Sequence, residues 1–182
     1  LSSLAAIPEK FLYMSSLSVM GKGDEKGYAP FTEKMIPNPD TRYGTSKLKA
    51  ETALQSSADI PWIIFRATGI YGPREKDYFL MFKSIAKGFD FSVGFRRQEL
   101  TFIYVEDLAR GIMDALEKSA PRQLYIVSEP RGYTQKEFRA VTAKVLDKRH
   151  VLPVKAPLWF LKLVCFVSGR LGLMRGKAAT LN

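Results

Sequence analysis

Phe11-Leu-Tyr-Met-Ser-Ser-Leu-Ser-Val-Met-Gly21 is an apolar run that meets two hydroxyls at Ser15 and Ser16, and further along the chain reads Tyr43-Gly-Thr-Ser-Lys47. The continuous apolar run predicts a strand covered on both faces. Residues four apart share a helix face, so Tyr43 and Lys47 predict a helix that presents a phenol beside an ammonium. Pro37-Asn-Pro-Asp40 ends the preceding loop, and Asp40 or Thr41 is the expected N-cap. A cation at ~4 Å in an effective dielectric of ~20 favours the phenolate by about 4 kcal/mol, which suits the phenol to exchange protons with a carbonyl or alcohol. Ser16, at the strand end, is placed to hydrogen-bond the reacting oxygen and hold it against the Tyr43 hydroxyl. The plain alternative is a surface helix with an incidental Tyr and Lys, because short motifs recur by chance.

Outward from this pair the chain alternates. Trp62 to Phe65, Thr101 to Val105 and Leu124 to Val127 are further apolar runs of strand length. Helical stretches lie near Gly44 to Ser57, Asp77 to Lys87 and Glu106 to Glu117, the order that produces βαβ units and a parallel sheet. Thr134-Gln-Lys-Glu137 is a capping box opening a helix to about Lys148. Ligands of open parallel sheets gather at the carboxyl ends of the strands, which is where Ser16 and the first turn of the Tyr43 helix fall.

Four ordered stretches carry a family resemblance. They are Phe11 to Gly21, Tyr43 to Lys47 followed by Ala50-Glu51, Phe65-Arg-Ala-Thr-Gly-Ile-Tyr-Gly-Pro-Arg74, and Phe102-Ile-Tyr-Val-Glu-Asp-Leu-Ala109. Together they resemble the extended short-chain dehydrogenase/reductase family, also called the NAD-dependent epimerase/dehydratase family. The last thirty or so residues match only loosely. The resemblance implies an NAD or NADP cofactor, with Tyr43 as acid/base, Lys47 holding the nicotinamide ribose and favouring the Tyr43 phenolate, and Ser16 orienting the substrate. It also implies cofactor contacts at Ser15, Arg66, Thr68 and Ile70, the last two through the backbone. Arg66 and Arg74 bracket the Tyr71-Gly72-Pro73 turn, where either one reaches a cofactor or substrate phosphate or is simply solvated.

The family's glycine-rich pyrophosphate loop is absent from these 182 residues. Gly21-Lys-Gly-Asp-Glu-Lys-Gly27 has the wrong spacing and contents, and reads as an exposed loop. The expected fold is therefore α/β: an incomplete Rossmann-like doubly wound parallel sheet, its N-terminal strands with the glycine-rich loop missing, plus a small, mostly helical substrate-binding part. We read residues 1–182 as a single fragment. About 1–75 and 100–128 form the remaining Rossmann-like part, and about 76–99 and 129–182 the substrate-binding part. Such a fragment is expected to be inactive alone and not to hold NAD tightly.

Substrate class is less legible. Sugar-nucleotide dehydratases of the family place an Asp-Glu pair directly after the catalytic hydroxyl, and this chain has Leu17 and Ser18, which disfavours dehydration. Many sugar-nucleotide epimerases carry an arginine just before the Phe102 segment, and here stand Leu100 and Thr101, with Arg96 or Arg97 in the loop before. Leu17, Arg74 and Arg97 are the candidate substrate contacts. The expected reaction is acid-base-assisted hydride transfer on a nucleotide-sugar or a related alcohol or ketone. A reductase of a lipophilic substrate, resembling the dihydroflavonol reductase and 3β-hydroxysteroid dehydrogenase branch, is the alternative, and Tyr78-Phe-Leu-Met-Phe82 would suit it. A non-catalytic basic protein that binds RNA or a membrane surface is the third reading.

Bulk properties bound these readings. A chain of 182 residues with 46% hydrophobic content can bury a core. Cys165 and His150 are each alone, which excludes a disulfide framework and a Cys/His metal site and fits a reducing, cytoplasmic compartment. The net charge of +10 admits nucleic acid, anionic membrane or phosphorylated ligands. Nucleic acid is not expected, because most Phe and Tyr fall in core-like runs rather than interleaving with the basic residues. Pro157-Leu-Trp-Phe-Leu-Lys-Leu-Val-Cys-Phe-Val167 is the most apolar stretch and is shorter than the ~20 residues of a membrane span. It is expected to serve as a lid, as a homo-oligomer contact, or, across 157–174, as a peripheral membrane contact that would make the protein membrane-associated.

Overall fold

The computed structural model describes residues 8–23, 29–93 and 99–156. Its elements in chain order are β1 (Phe11–Ser16), a 3-10 turn (Leu17–Met20), α1 (Arg42–Gln55), β2 (Trp62–Ala67), β3 (Gly69–Tyr71), α2 (Asp77–Ala86), β4 (Phe89–Val93), β5 (Glu99–Leu100), β6 (Phe102–Tyr104), α3 (Val105–Lys118), β7 (Gln123–Val127), β8 (Tyr133–Thr134), α4 (Gln135–Val145) and β9 (Leu152–Ala156). They divide into two compact units. Unit one comes from residues 1–72 and 101–130, unit two from 73–100 and 131–182.

Unit one is a parallel sheet in the order β1-β2-β7 with a helix on each face. Its register sets Ser16 opposite Ala67 and Ala67 opposite Val127, so the three carboxyl ends finish level. The central strand β2 is buried along its whole length, which is why its sequence is a run rather than an alternation. Successive side chains of a strand still point to opposite faces. Ile63, Phe65 and Ala67 pack with Leu108 and Ala115 of α3, whereas Trp62 and Ile64 pack with Leu54 of α1. Burying each large apolar side chain here contributes roughly 1.5–3 kcal/mol. Phe65 also meets the Tyr125 ring edge-on at 5.7 Å.

The expected parallel α/β fold is what the structure has, and the differences are local. Phe102–Tyr104 does not join the three-stranded sheet: β6 pairs in parallel with β3 in a small sheet of its own. Strands β3, β4, β5, β8 and β9 were not expected from the sequence: each is short and none belongs to an unbroken apolar run such as those that mark β6 and β7. Helix α4 opens on the predicted capping box, with Thr134 and Glu137 bonding reciprocally, and ends at Val145, three residues early.

In unit two β4 and β9 pair in parallel and β5 and β8 antiparallel. Asp90 of β4 is buried and accepts hydrogen bonds from Gln135 at 2.9 Å and from Arg139 at 3.0 Å, both on α4. Phe82 of α2 stacks on Phe138 of α4 with ring centroids 5.7 Å apart. Among the described residues no helix is long and apolar enough to cross a membrane. Residues 157–174 lie outside the described residues.

Candidate active site

Helix α1 starts where the sequence places it. Thr41 is the N-cap, and its hydroxyl accepts the Gly44 N–H at 3.0 Å. That cap fixes the first turn, which carries Tyr43, and Lys47 follows one turn later on the same face. Tyr43 is 53% exposed, leaving its phenol accessible. The Lys47 ammonium lies 5.8 Å from the Tyr43 ring centroid and 5.0 Å from that of Tyr13. It donates a hydrogen bond to the Met14 carbonyl at 2.8 Å. Helix and strand are thus tied together two residues before Ser16.

Ser16 ends β1 and caps the 3-10 turn. Its oxygen accepts from the Ser18 N–H at 3.2 Å and from the Ser18 hydroxyl at 3.0 Å. The turn packs directly against α1 at Gly44, where a Cβ would stand 2.4 Å from the Ser18 carbonyl oxygen and 3.0 Å from Pro39 Cβ. Only a glycine allows that approach, because the opposing atoms are mainly backbone. Gly21, with φ +71, closes the turn, and a Cβ there would meet the Asn38 carbonyl at 1.9 Å. The proline-rich loop before α1 is thereby held against the turn after β1, in the neighbourhood of Ser16 and Tyr43.

Deeper on the same face is a cluster that sequence reading missed. Glu51, one turn beyond Lys47, is fully buried, and Arg66 of β2 is 3% exposed. Arg66 donates through Nε at 3.1 and 3.2 Å to the two Glu51 oxygens and through Nη2 at 2.7 Å. Ser15 donates its hydroxyl to Glu51, and Arg66 Nη1 lies 3.2 Å from Met20 Sδ. The side-chain polar atoms of Arg66 and Ser15, both expected near the cofactor, are bonded inside the protein. The signal was available, since Trp62, Ile64 and Arg66 share one face of β2, and Tyr43, Lys47 and Glu51 recur at four-residue intervals on α1.

The remaining candidates are more dispersed. Thr68 donates both its N–H, at 3.1 Å, and its hydroxyl, at 3.3 Å, to the Val127 carbonyl. Ile70 lies in β3 and is exposed; Leu17 is half-buried in the 3-10 turn. Arg74 is exposed in unit two, with a left-handed φ of 73. Arg97 lies outside the described residues. Ser16, Tyr43 and Lys47 are therefore the predicted residues that one local framework joins, at the carboxyl edge of β1. Glu33, from the loop before α1, accepts the Ile126 N–H of β7 at 3.0 Å, and that bond, followed by one from its own backbone N–H, holds its carboxyl below the usual range.

The family model described as "NAD dependent epimerase/dehydratase family" matches residues 2–127. The uncharacterized protein y4nL of Sinorhizobium fredii is 30% identical over 150 residues, which cover 75% of this chain and 42% of that protein. The dTDP-D-glucose 4,6-dehydratase of Bos taurus is 29% identical over 126 residues, 64% of this chain and 34% of that enzyme. Among solved structures, UDP-glucuronic acid 4-epimerase from Bacillus cereus in complex with NAD superposes with a TM-score of 0.68 at 24% identity, covering 81% of this chain and 50% of that one. RMD from Pseudomonas aeruginosa, complexed with NADPH, gives 0.70 at 21%, covering 81% and 53%. These structural likenesses establish the fold. The chain spans less than half the length of the curated relatives it matches.

Proposed function

The chain belongs to the NAD dependent epimerase/dehydratase family, and from that premise we propose that it supplies the acid-base half of a nicotinamide-dependent epimerase or oxidoreductase. The observation that carries this reading is the accessible Tyr43 phenol with the Lys47 ammonium beside its ring, on a helix bonded to the strand that ends in Ser16. We assign Tyr43 as the proton carrier: its oxygen takes the hydroxyl proton of a substrate alcohol as the carbonyl forms, and returns it in the reverse direction. The Lys47 ammonium, 5.8 Å from the Tyr43 ring centroid, supplies the positive charge beside that exchange. Ser16 donates to the same substrate oxygen and orients it.

The residues present fit one end of a dinucleotide. An ammonium has three donors, and Lys47 gives one to Met14, so two are left for a ribose diol. A bound NAD or NADP would accept and return the hydride. Lys47 would hold its nicotinamide ribose beside Tyr43, with the backbone at Thr68 and Ile70 alongside. The pyrophosphate has no glycine-rich cradle in these 182 residues, and none of them is assigned to it.

The substrate we favour is a nucleotide-sugar, in keeping with the epimerases and dehydratases among the relatives. Elimination of water is not part of the proposal, because Leu17 and Ser18 offer no carboxyl to carry a second proton. Tyr43→Phe in the whole gene product tests the assignment. The expected result is a loss of turnover of about a thousandfold or more with cofactor affinity within about twofold of the parent. Turnover that survives the substitution would remove Tyr43 from the chemistry.

A further inference from the structure

Strand β4 inverts the usual arrangement of a sheet with one covered face. Asp90 points inward and is bonded to Gln135 and Arg139 of α4. Phe89 and Phe91, on either side of it, therefore point outward. They are 43% and 61% exposed and stack on each other at 6.1 Å. The register sets Leu152 opposite Phe89 and Val154 opposite Phe91, which adds Leu152, 62% exposed, to the same face. A parallel pair such as this is ordinarily covered on both faces, so an open apolar face on it is one that takes a cover. Here the polar residue is inside and the aromatics are outside.

Charge is distributed to match. Unit one holds 11 Lys and Arg against 12 Asp and Glu; unit two holds 17 against 6, so the whole positive excess of the chain belongs to unit two. Part of it stands at the entry to this face. Lys87 precedes β4, and Lys148-Arg149-His150 precedes β9, all of them exposed. The Leu152 N–H donates to the Gly88 carbonyl at 2.8 Å and so fastens the two entry points together.

We propose that the outer face of β4 and β9 docks on an anionic lipid bilayer surface. Phe89, Phe91 and Leu152 enter the boundary between headgroups and acyl chains, while Lys87, Lys148 and Arg149 meet the headgroup charges. Aromatic and aliphatic side chains next to a cluster of basic residues are the combination that a charged interface binds, each basic residue adding about fivefold to partition. The proposal is separate from the hydride-transfer reading and needs no substrate or cofactor.

The test is co-sedimentation of the 182-residue chain with phosphatidylcholine vesicles, with and without about 30 mol% phosphatidylserine, at physiological salt. Binding to the anionic vesicles alone is expected. Phe89→Ser with Phe91→Ser should lower it about tenfold, and Lys148→Glu with Arg149→Glu about twentyfold or more. The second pair is exposed, so it reports even where the first perturbs folding. Absence of binding to anionic vesicles overturns the proposal, as does binding that neither pair changes. Two further results do so by naming another occupant. A dimer that the serine pair disperses, with lipid binding unchanged, assigns the face to a second copy. A lowered melting temperature with lipid binding unchanged assigns it to the chain's own apolar 157–167 stretch.

Discussion

On the α3 side of the sheet Ile63, Phe65 and Ala67 meet Leu108 and Ala115, side chains that offer only carbon, whereas on the α1 side Trp62 and Ile64 share their face with Ser15, Arg66 and Glu51. Apolar packing is non-directional and tolerates small slips of a helix over a sheet. Bidentate hydrogen bonds do not, since their strength depends on angle as well as distance. The helix that carries Tyr43 and Lys47 is held from inside by such a bidentate pair, whereas α3 receives its side-chain bonds at its C-terminal end, where the Lys10 ammonium donates to the Leu116 carbonyl at 2.6 Å and the Glu117 carbonyl at 3.2 Å. Stability and placement are thus supplied by separate groups within one unit.

The largest expected effect is on the buried pair. Glu51→Ala leaves Arg66 enclosed without its carboxylate and should cost about 3–5 kcal/mol in denaturant unfolding. Glu51→Met with Arg66→Leu removes both charges and should restore stability to within about 1 kcal/mol of the parent, or exceed it. If directional bonds place α1, that double variant stays stable while turnover of the whole gene product falls. Full turnover in a stable double variant would show that packing alone places α1.

Gly44→Ala comes next. Its methyl would press on the Ser18 carbonyl, and relieving a contact of that kind costs on the order of 1–3 kcal/mol. Because the strain falls between α1 and the 3-10 turn, the loss of turnover should exceed what the change in melting temperature explains. The smallest effect is at Glu33. Its lowered carboxyl contributes stability that is present above the ordinary value of 4.5 and is lost as pH falls through the lower folded value. Denaturation of the parent and of Glu33→Gln should therefore differ by a constant amount above about pH 5 and converge in acid. A gap that does not change with pH would assign Glu33 no role as an ionised acceptor.

The parallel sheet and its helices were legible because their signals are long: apolar runs at β1, β2 and β7, a helix start at Thr41, a capping box at Thr134. The Tyr43 and Lys47 pairing was legible as spacing. Arg66 was not, since the turn at Tyr71-Gly72-Pro73 drew attention to the arginines as surface groups, while the strand's alternation pointed Arg66 inward. Glu51 follows the Tyr43 to Lys47 motif as part of Ala50-Glu51, and a single carboxylate on a helix carries no mark of burial. The short strands β4 and β9 are set by pairing between residues far apart in the chain, Phe89 with Leu152 for example, which local pattern does not encode.

The bond from Lys47 to the Met14 carbonyl has a thermodynamic consequence. A free lysine side chain has roughly 2 kcal/mol of rotamer entropy, and most of it is surrendered when the ammonium settles on a backbone oxygen. That loss occurs as the chain folds and is not repeated at any later encounter, so a polar group arriving beside Tyr43 finds a cation that has already stopped searching.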